Sequence, residues 1–171
     1  MYPISRLDND NVGDGFIRAG ATGNKDIINY FVSLFDENNS KLNIYRWVIN
    51  GLLEENKEDL AEEYFQIIKD DINTYTLQHL MEDAADIYND KSNIKFFKVL
   101  METYLKNRQR FPTLNLEHIL RSAIKASNYP VVEYLMKLGM EIIHIEINFK
   151  NADRRIKHKR DWIERLNKLH M

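Results

Sequence analysis

The sequence predicts an all-α fold, a solenoid of about four stacked helical hairpins with a C-terminal capping helix. Three observations predict it. A helix-opening pattern recurs four times at nearly constant spacing, each recurrence follows a second amphipathic segment, and only 6 glycines and 3 prolines punctuate 171 residues. So few turn signals disfavour a many-stranded sandwich. A chain of this length that is 44% hydrophobic and 29% charged can bury one domain's core. Collagen-like, low-complexity and wholly disordered classes are excluded on the same numbers.

Residues 1–13 are expected to form an irregular lead-in that ends at Asp14, the cap of a first helix over Gly15–Thr22. Asn24-Lys25-Asp26-Ile27-Ile28-Asn29-Tyr30-Phe31 opens its partner helix, with apolar pairs at the fourth and fifth and the seventh and eighth positions. Similar openings begin at Lys57, Asn93 and Asn128, giving spacings of 33, 36 and 35. A period in this range marks a helical-hairpin array. The intervening segments Ile44–Glu55, Thr76–Asn89 and Leu116–Ser127 carry apolar residues three and four apart, as in Leu77, Leu80, Met81 and Ala84. Asn43, Asn73 or Thr74, and Asn115 stand where a side-chain acceptor can satisfy the free amides of a first turn. Pro130 falls in a first turn, where its missing N–H costs little. The repeats then span about 14–41, 42–73, 74–110 and 111–145. A single hairpin cannot bury its apolar face, so stacked neighbours complete the core.

Phe16 to Ile28 and Leu120 to Leu135 resemble ankyrin repeats. Ala19-Gly20 and Ala123 stand where that family packs two helices closely, and Gly23-Asn24 and Ser127-Asn128 stand at its inter-helix turn. Leu135-Met136-Lys137-Leu138-Gly139 is similar to its repeat ending, Gly139 supplying a left-handed C-cap. The resemblance covers roughly residues 12 to 145 and departs from the family in three ways. Its Thr-Pro-Leu-His start is nowhere intact, one copy alone has the terminal Gly, and the third copy carries extra residues, Asp86 to Lys91, between its helices. It looks like a degenerate array, of the divergent kind expected in large DNA viruses or intracellular bacteria, and the resemblance implies β-hairpin fingers that are shortened or missing. The tetratricopeptide array shares the period but fits less well, because its Trp/Leu-Gly/Tyr pattern and closing Pro do not recur.

Beyond Ile142 the character changes. Ile143, Ile145 and Ile147 alternate with His144 and Glu146, which reads as a short extended piece. Residues 146–171 form a basic amphipathic segment. From Lys150 onward eight basic residues face three acidic ones, a net +5, while the preceding residues hold sixteen against twenty-three, a net −7. Ile156, Trp162, Ile163, Leu166 and Leu169 lie at helical spacing. One reading is a cap for the open end of the stack, with its charges solvated. The other is contact with nucleic acid, an acidic protein or a lipid surface through Arg154, Arg155, Lys157, Lys159 and Arg160.

Catalysis has no positive support. With no cysteine, a disulfide framework, a thiolate zinc site and cysteine chemistry are excluded. Asp8-Asn9-Asp10-Asn11-Val12-Gly13 begins like a calcium loop, but Val12 and Ala19 stand where ligands are required. Gly15 to Thr22 has phosphate-loop glycine spacing without its lysine or a preceding strand. His79, His118, His144, His158 and His170 show no metal-ligand spacing, His118 reading as a local hydrogen-bonding or surface residue. The acidic run from Glu54 to Asp71 reads as a solvated helix face, and no Gly-x-Ser-x-Gly nucleophile occurs. No metal and no cofactor are expected. No signal-peptide pattern and no run of eighteen apolar residues occur, so the expectation is an intracellular, cytoplasmic chain without a membrane span.

The resemblance implies a non-catalytic protein–protein interaction module. Its partner would lie on the concave side lined by the first helix of each pair, where Arg18, Arg46, Asn50, His79, Glu82, Arg121 and Lys125 are the candidate contacts. The alternative is a structural or packaging protein whose basic C-terminal helix contacts nucleic acid or an acidic assembly surface. Pairing of open stack ends would make a homo-oligomer.

Overall fold

A computed structural model of the chain describes residues 9–35, 41–87 and 94–138. Within them lie eight α-helices: α1 Asn9–Thr22, α2 Lys25–Phe35, α3 Lys41–Glu54, α4 Glu58–Ile68, α5 Thr74–Asp86, α6 Lys95–Lys106, α7 Leu116–Lys125 and α8 Tyr129–Lys137. A 3-10 turn occupies Arg108–Arg110. The described residues include no strand, and no helix among them is long and apolar enough to cross a membrane.

The hairpin turns follow from a shared device. Gly23, Asn56 and Ser127 each take a positive φ, of 61°, 57° and 60°, one residue before the cap of the following helix. In the second and fourth hairpins two reversed hydrogen bonds close the turn. Lys57 N–H donates to Leu52 O at 2.9 Å and Asn128 N–H to Ala123 O at 2.8 Å, while Asn56 and Ser127 donate to Leu53 and Ile124. This is the Schellman geometry, which satisfies carbonyls left open at a helix end. The residue after the turn also ties its hairpin to the one before. Lys57 Nζ donates to Ala21 O at 2.6 Å, placing a cation at the carbonyl end of α1. Asn128 Nδ2 donates to Ala85 O at 3.1 Å and Ile87 O at 3.2 Å, and its Oδ1 accepts from Val131 N–H.

The hairpins pair as α1 with α2, α3 with α4, α5 with α6 and α7 with α8. Between hairpins α1 packs on α3, α3 on α5 and α5 on α7, while α4 packs on α6. First helices therefore form one layer and second helices another. Phe16, Val48, Leu52, Phe65, Leu77, Leu80, Phe97, Leu120 and Leu135 belong to one continuous buried cluster running through all four hairpins. The α1–α3 contact is made backbone to backbone. A Cβ at Gly20 would meet the Val48 carbonyl oxygen, and one at Gly51 the Ile17 carbonyl oxygen.

Several boundaries differ from the sequence expectation. α1 begins at Asn9, so residues 9–13 are helical rather than irregular and Asp14 is an exposed residue inside the helix instead of its cap. The reason is burial: Val12 joins Phe16 one turn away in the core, and Gly13 lies against the Trp47 ring. The phosphate-like stretch, and the calcium-like one from Asn9 onward, are thus parts of a helix. α3 begins at Lys41, which puts Asn43 inside it, and α5 ends at Asp86 rather than Asn89. Asn73, Asn115 and Asn128 do cap their helices, accepting from Thr76, His118 and Val131 N–H. Residues 1–8, 36–40, 88–93 and 139–171 lie outside the described residues, and with them most of the inserted Asp86–Lys91 stretch, Gly139, the extended piece after Ile142 and the basic segment.

Candidate functional site

The first-helix layer aligns α3, α5 and α7, and it is their polar positions that converge. On α3, Arg46 and Asn50 lie one turn apart; on α5, Tyr75, His79 and Asp83 do the same, with Glu82 beside them. The cap at Asn73 sets where α5 starts, because its side chain accepts from Thr76 N–H at 2.8 Å. The cap at Asn115 does the same for α7, with 3.0 Å to His118 N–H. Asn115 N–H in turn donates to Gln78 Oε1 at 3.2 Å, which fixes the first turn of α7 against α5.

Glu82 is the hub. Its side chain is only 16% exposed and accepts from Gln78 Nε2 at 2.8 Å and from His118 Nδ1 at 2.8 Å across to α7. His79 Nδ1 lies 3.5 Å from its other oxygen. A carboxylate can only accept, which assigns a proton to Nδ1 of His118.

Beside this hub lies an aromatic and cationic cluster. The Tyr75 and His79 rings meet edge to face with centroids 4.2 Å apart. The Arg46 guanidinium sits 5.9 Å from the Tyr75 centroid and 6.0 Å from that of Trp47, within cation–π range. Its Nε is buried without a hydrogen-bond partner among the described residues. Tyr75 itself is 61% exposed, so this cluster presents a large aromatic to solvent. Asp83 lies underneath. Burial raises its carboxyl above the ordinary Asp range, and this outweighs the hydrogen bond from Asn50 and the charges of Arg46 and His79, while Glu82 pushes the same way as burial.

The structure therefore brings together Arg46, Asn50, His79 and Glu82 of the sequence-derived candidates. Arg18 is exposed on α1, in the first hairpin. Arg121 turns back on its own helix, donating to Glu117 at 2.6 Å and 3.1 Å, and Lys125 is exposed in the last turn of α7. Arg154, Arg155, Lys157, Lys159 and Arg160 lie outside the described residues. Sequence reasoning missed Tyr75, Gln78 and Asp83; His118, read as a local hydrogen-bonding or surface residue, is 57% exposed, and its partner Glu82 is on another hairpin. The signal for two of them was available: Tyr75, His79 and Asp83 are spaced four apart, which puts them on one helix face.

A second polar position lies between α4 and α6. Glu58 Oε2 accepts from Phe96 N–H at 2.8 Å, so a side chain of one hairpin satisfies the first turn of the next. Burial raises the Glu58 carboxyl above its ordinary range, against the lowering effect of the Phe96 and Lys95 amides. Glu58, Leu53, Ala84, Ile94 and Phe97 are among the residues lining a cavity of about 20 Å³, room for about one water. No group of three His, Cys, Asp or Glu among the described residues is arranged to hold a metal ion.

Comparison with protein-family models, with curated proteins and with solved structures finds no match to this chain.

Proposed function

We propose that this chain is a non-catalytic binding module, a divergent ankyrin-like array that takes a protein partner on the face formed by α3, α5 and α7. The observation that carries this reading is the Tyr75–His79–Arg46 cluster, an aromatic 61% exposed and braced by a histidine ring and a guanidinium. Tyrosine and arginine are enriched among the residues that dominate the energetics of protein interfaces, and tyrosine offers a large contact area and a polar tip at low entropic cost. The Glu82 hub holds α5 against α7, so the surface is preassembled rather than ordered at the moment of binding. Arg18, Arg121 and Lys125 lie outside the cluster and act as flanking charges that steer and select. The ankyrin-like part of the reading is supported by the small residues at the α1–α3 approach and by the positive-φ turns at Gly23 and Ser127.

The test compares partner capture by the wild-type chain and two variants that keep the helices. Tyr75→Ala is expected to weaken capture of the wild-type partner by about 2 kcal/mol, roughly thirty-fold, as removal of a hot-spot aromatic does. Arg121→Glu with Lys125→Glu is expected to weaken it less and to make it more sensitive to salt. Undiminished capture by the Tyr75→Ala chain, with its helicity intact, overturns this face as the binding surface.

A further inference from the structure

The outer layer carries a feature that the inner face does not explain. Ile27, Tyr30 and Leu34 are spaced three and four apart on α2 and are 38%, 62% and 43% exposed. Ile67 on α4 is 46% exposed. α2 and α4 lie side by side, joined by Lys25 Nζ to Glu63 at 2.5 Å and by Tyr64 Oη to Asn29 at 3.3 Å. With a repeat step of 33, Ile67 is the counterpart of Leu34, so the four apolar side chains share the outer face of two adjacent hairpins. A solenoid's outer helices normally turn polar residues outward, and a grouped apolar exposure of this kind marks a docking surface.

The rim around the patch is acidic on balance, although two of its carboxylates already meet lysines, Glu63 with Lys25 and Asp71 with Lys41. The second hairpin, residues 42–73, holds eight acidic residues against three basic ones, a net −5. Glu63 and Asp70, both exposed, lie one turn to either side of Ile67. The other hairpins are close to neutral: residues 14–41 hold four acidic against three basic, 74–110 five against six, and 111–145 three against three. The complement of this surface is present in the same chain. Residues 150–171 carry net +5 and the apolar residues Ile156, Trp162, Ile163, Leu166 and Leu169 at helical spacing. The described chain ends at Leu138 on the fourth hairpin, leaving residues 139–149 as a connection. Eleven residues reach at most about 40 Å when extended. Helix layers step by about 8–10 Å, so α4 and α2, two and three steps away, fall within about 30 Å. The fourth hairpin, which an end cap would cover, has no net charge to attract a segment of +5.

We infer that residues 150–171 dock on the apolar, acid-rimmed outer face of α2 and α4 of their own chain, as an amphipathic segment with its apolar side on Ile27, Tyr30, Leu34 and Ile67. This arrangement occupies the basic segment and leaves the inner face open, so it is independent of the partner-binding reading above. It also makes the basic residues conditional: an anionic partner reaches them only by competing with the second hairpin's carboxylates.

The absence of cysteine makes the test direct, because a single introduced thiol is the only one in the chain. The full-length chain carries a nitroxide at Ser33→Cys or Gln66→Cys, both exposed beside the patch, or at Lys137→Cys at the end of α8. The readout is the indole N–H resonance of Trp162, assigned by its loss in Trp162→Phe, with the Trp47 indole as the second signal. The expected result is broadening of Trp162 from Ser33 and Gln66, retained when labelled chain is diluted into unlabelled chain and lost with Tyr30→Ser. Broadening from Lys137 alone overturns the inference in favour of an end cap. Broadening that appears only between labelled and unlabelled copies overturns it in favour of a second copy, and an unaffected Trp162 from all three sites overturns it outright.

Discussion

Asp83 shows how a single residue registers its surroundings. It lies against α3 with Asn50, Arg46 and His79 around it, yet burial still raises its carboxyl above the ordinary range. A folded pKa above the unfolded one means that the stability contributed is complete below the unfolded value and is lost as pH rises through the folded value. Asp83 therefore costs stability at neutral and alkaline pH. Asp83→Asn is expected to melt at higher temperature than wild type at pH 8, with the difference narrowing as pH falls toward the ordinary Asp range. A variant less stable than wild type at pH 8 would show that the Asn50 hydrogen bond and the Arg46 charge outweigh burial. The position of Asp83 on the face of Tyr75 and His79 is legible from spacing alone. Its burial is not, because the covering groups come from α3, more than thirty residues earlier in the chain.

The decisive feature between elements is the backbone approach of α1 to α3. Replacing a mid-helix glycine by alanine ordinarily gains about 1 kcal/mol of helix propensity. At Gly51 the new Cβ would fall on the Ile17 carbonyl and close to the Ala21 amide, and main-chain atoms cannot swing aside as a long side chain can. Overpacking of this kind costs about 1–3 kcal/mol, which outweighs the propensity gain. Gly51→Ala is therefore expected to lower the denaturant midpoint with helical content retained, and a raised midpoint would mean that the two helices separate freely. Gly20 was legible as a small residue in a tight packing position. Gly51 was not, because its role exists only once Ile17 is opposite it. The turns divide similarly. Gly23 and Ser127 announced themselves beside asparagine caps, whereas Asn56 takes the same left-handed conformation before Lys57, which has no side-chain cap bond.

Across the whole molecule the contacts run between neighbouring hairpins, with α3 and α5 each flanked on both sides in the first-helix layer. Such an array unfolds through its weakest interface rather than uniformly. Amides of α3 and α5 are expected to exchange with solvent most slowly, and those of α7, which has a neighbour on one side only in that layer among the described residues, faster. Hydrogen exchange read by mass spectrometry measures this, and uniform protection from α2 to α7 would show a single cooperative unit instead. The ion pairs between hairpins, such as Lys25 with Glu63 and Lys95 with Asp59, have side chains more than half exposed. They set register more than they hold the stack together.

The sequence by itself determined the helical class, the pairing of helices into hairpins and the places where most of them turn. Those depend on apolar spacing, on asparagine caps and on small residues, all of which act within a few positions of one another. The first helix was placed too late for the same reason: residues 9–13 carry few local helix signals, and they become helical because Val12 and Gly13 meet the core and Trp47. Tertiary structure alone decided which polar residues meet. Four of the seven inner-face candidates converge, while Arg121 pairs within its own helix, and the hub at Glu82 joins residues 36 positions apart. A repeat pattern specifies which face a side chain occupies. The distance between hairpins, set by backbone contacts such as Gly51 on Ile17, specifies whether two such side chains touch.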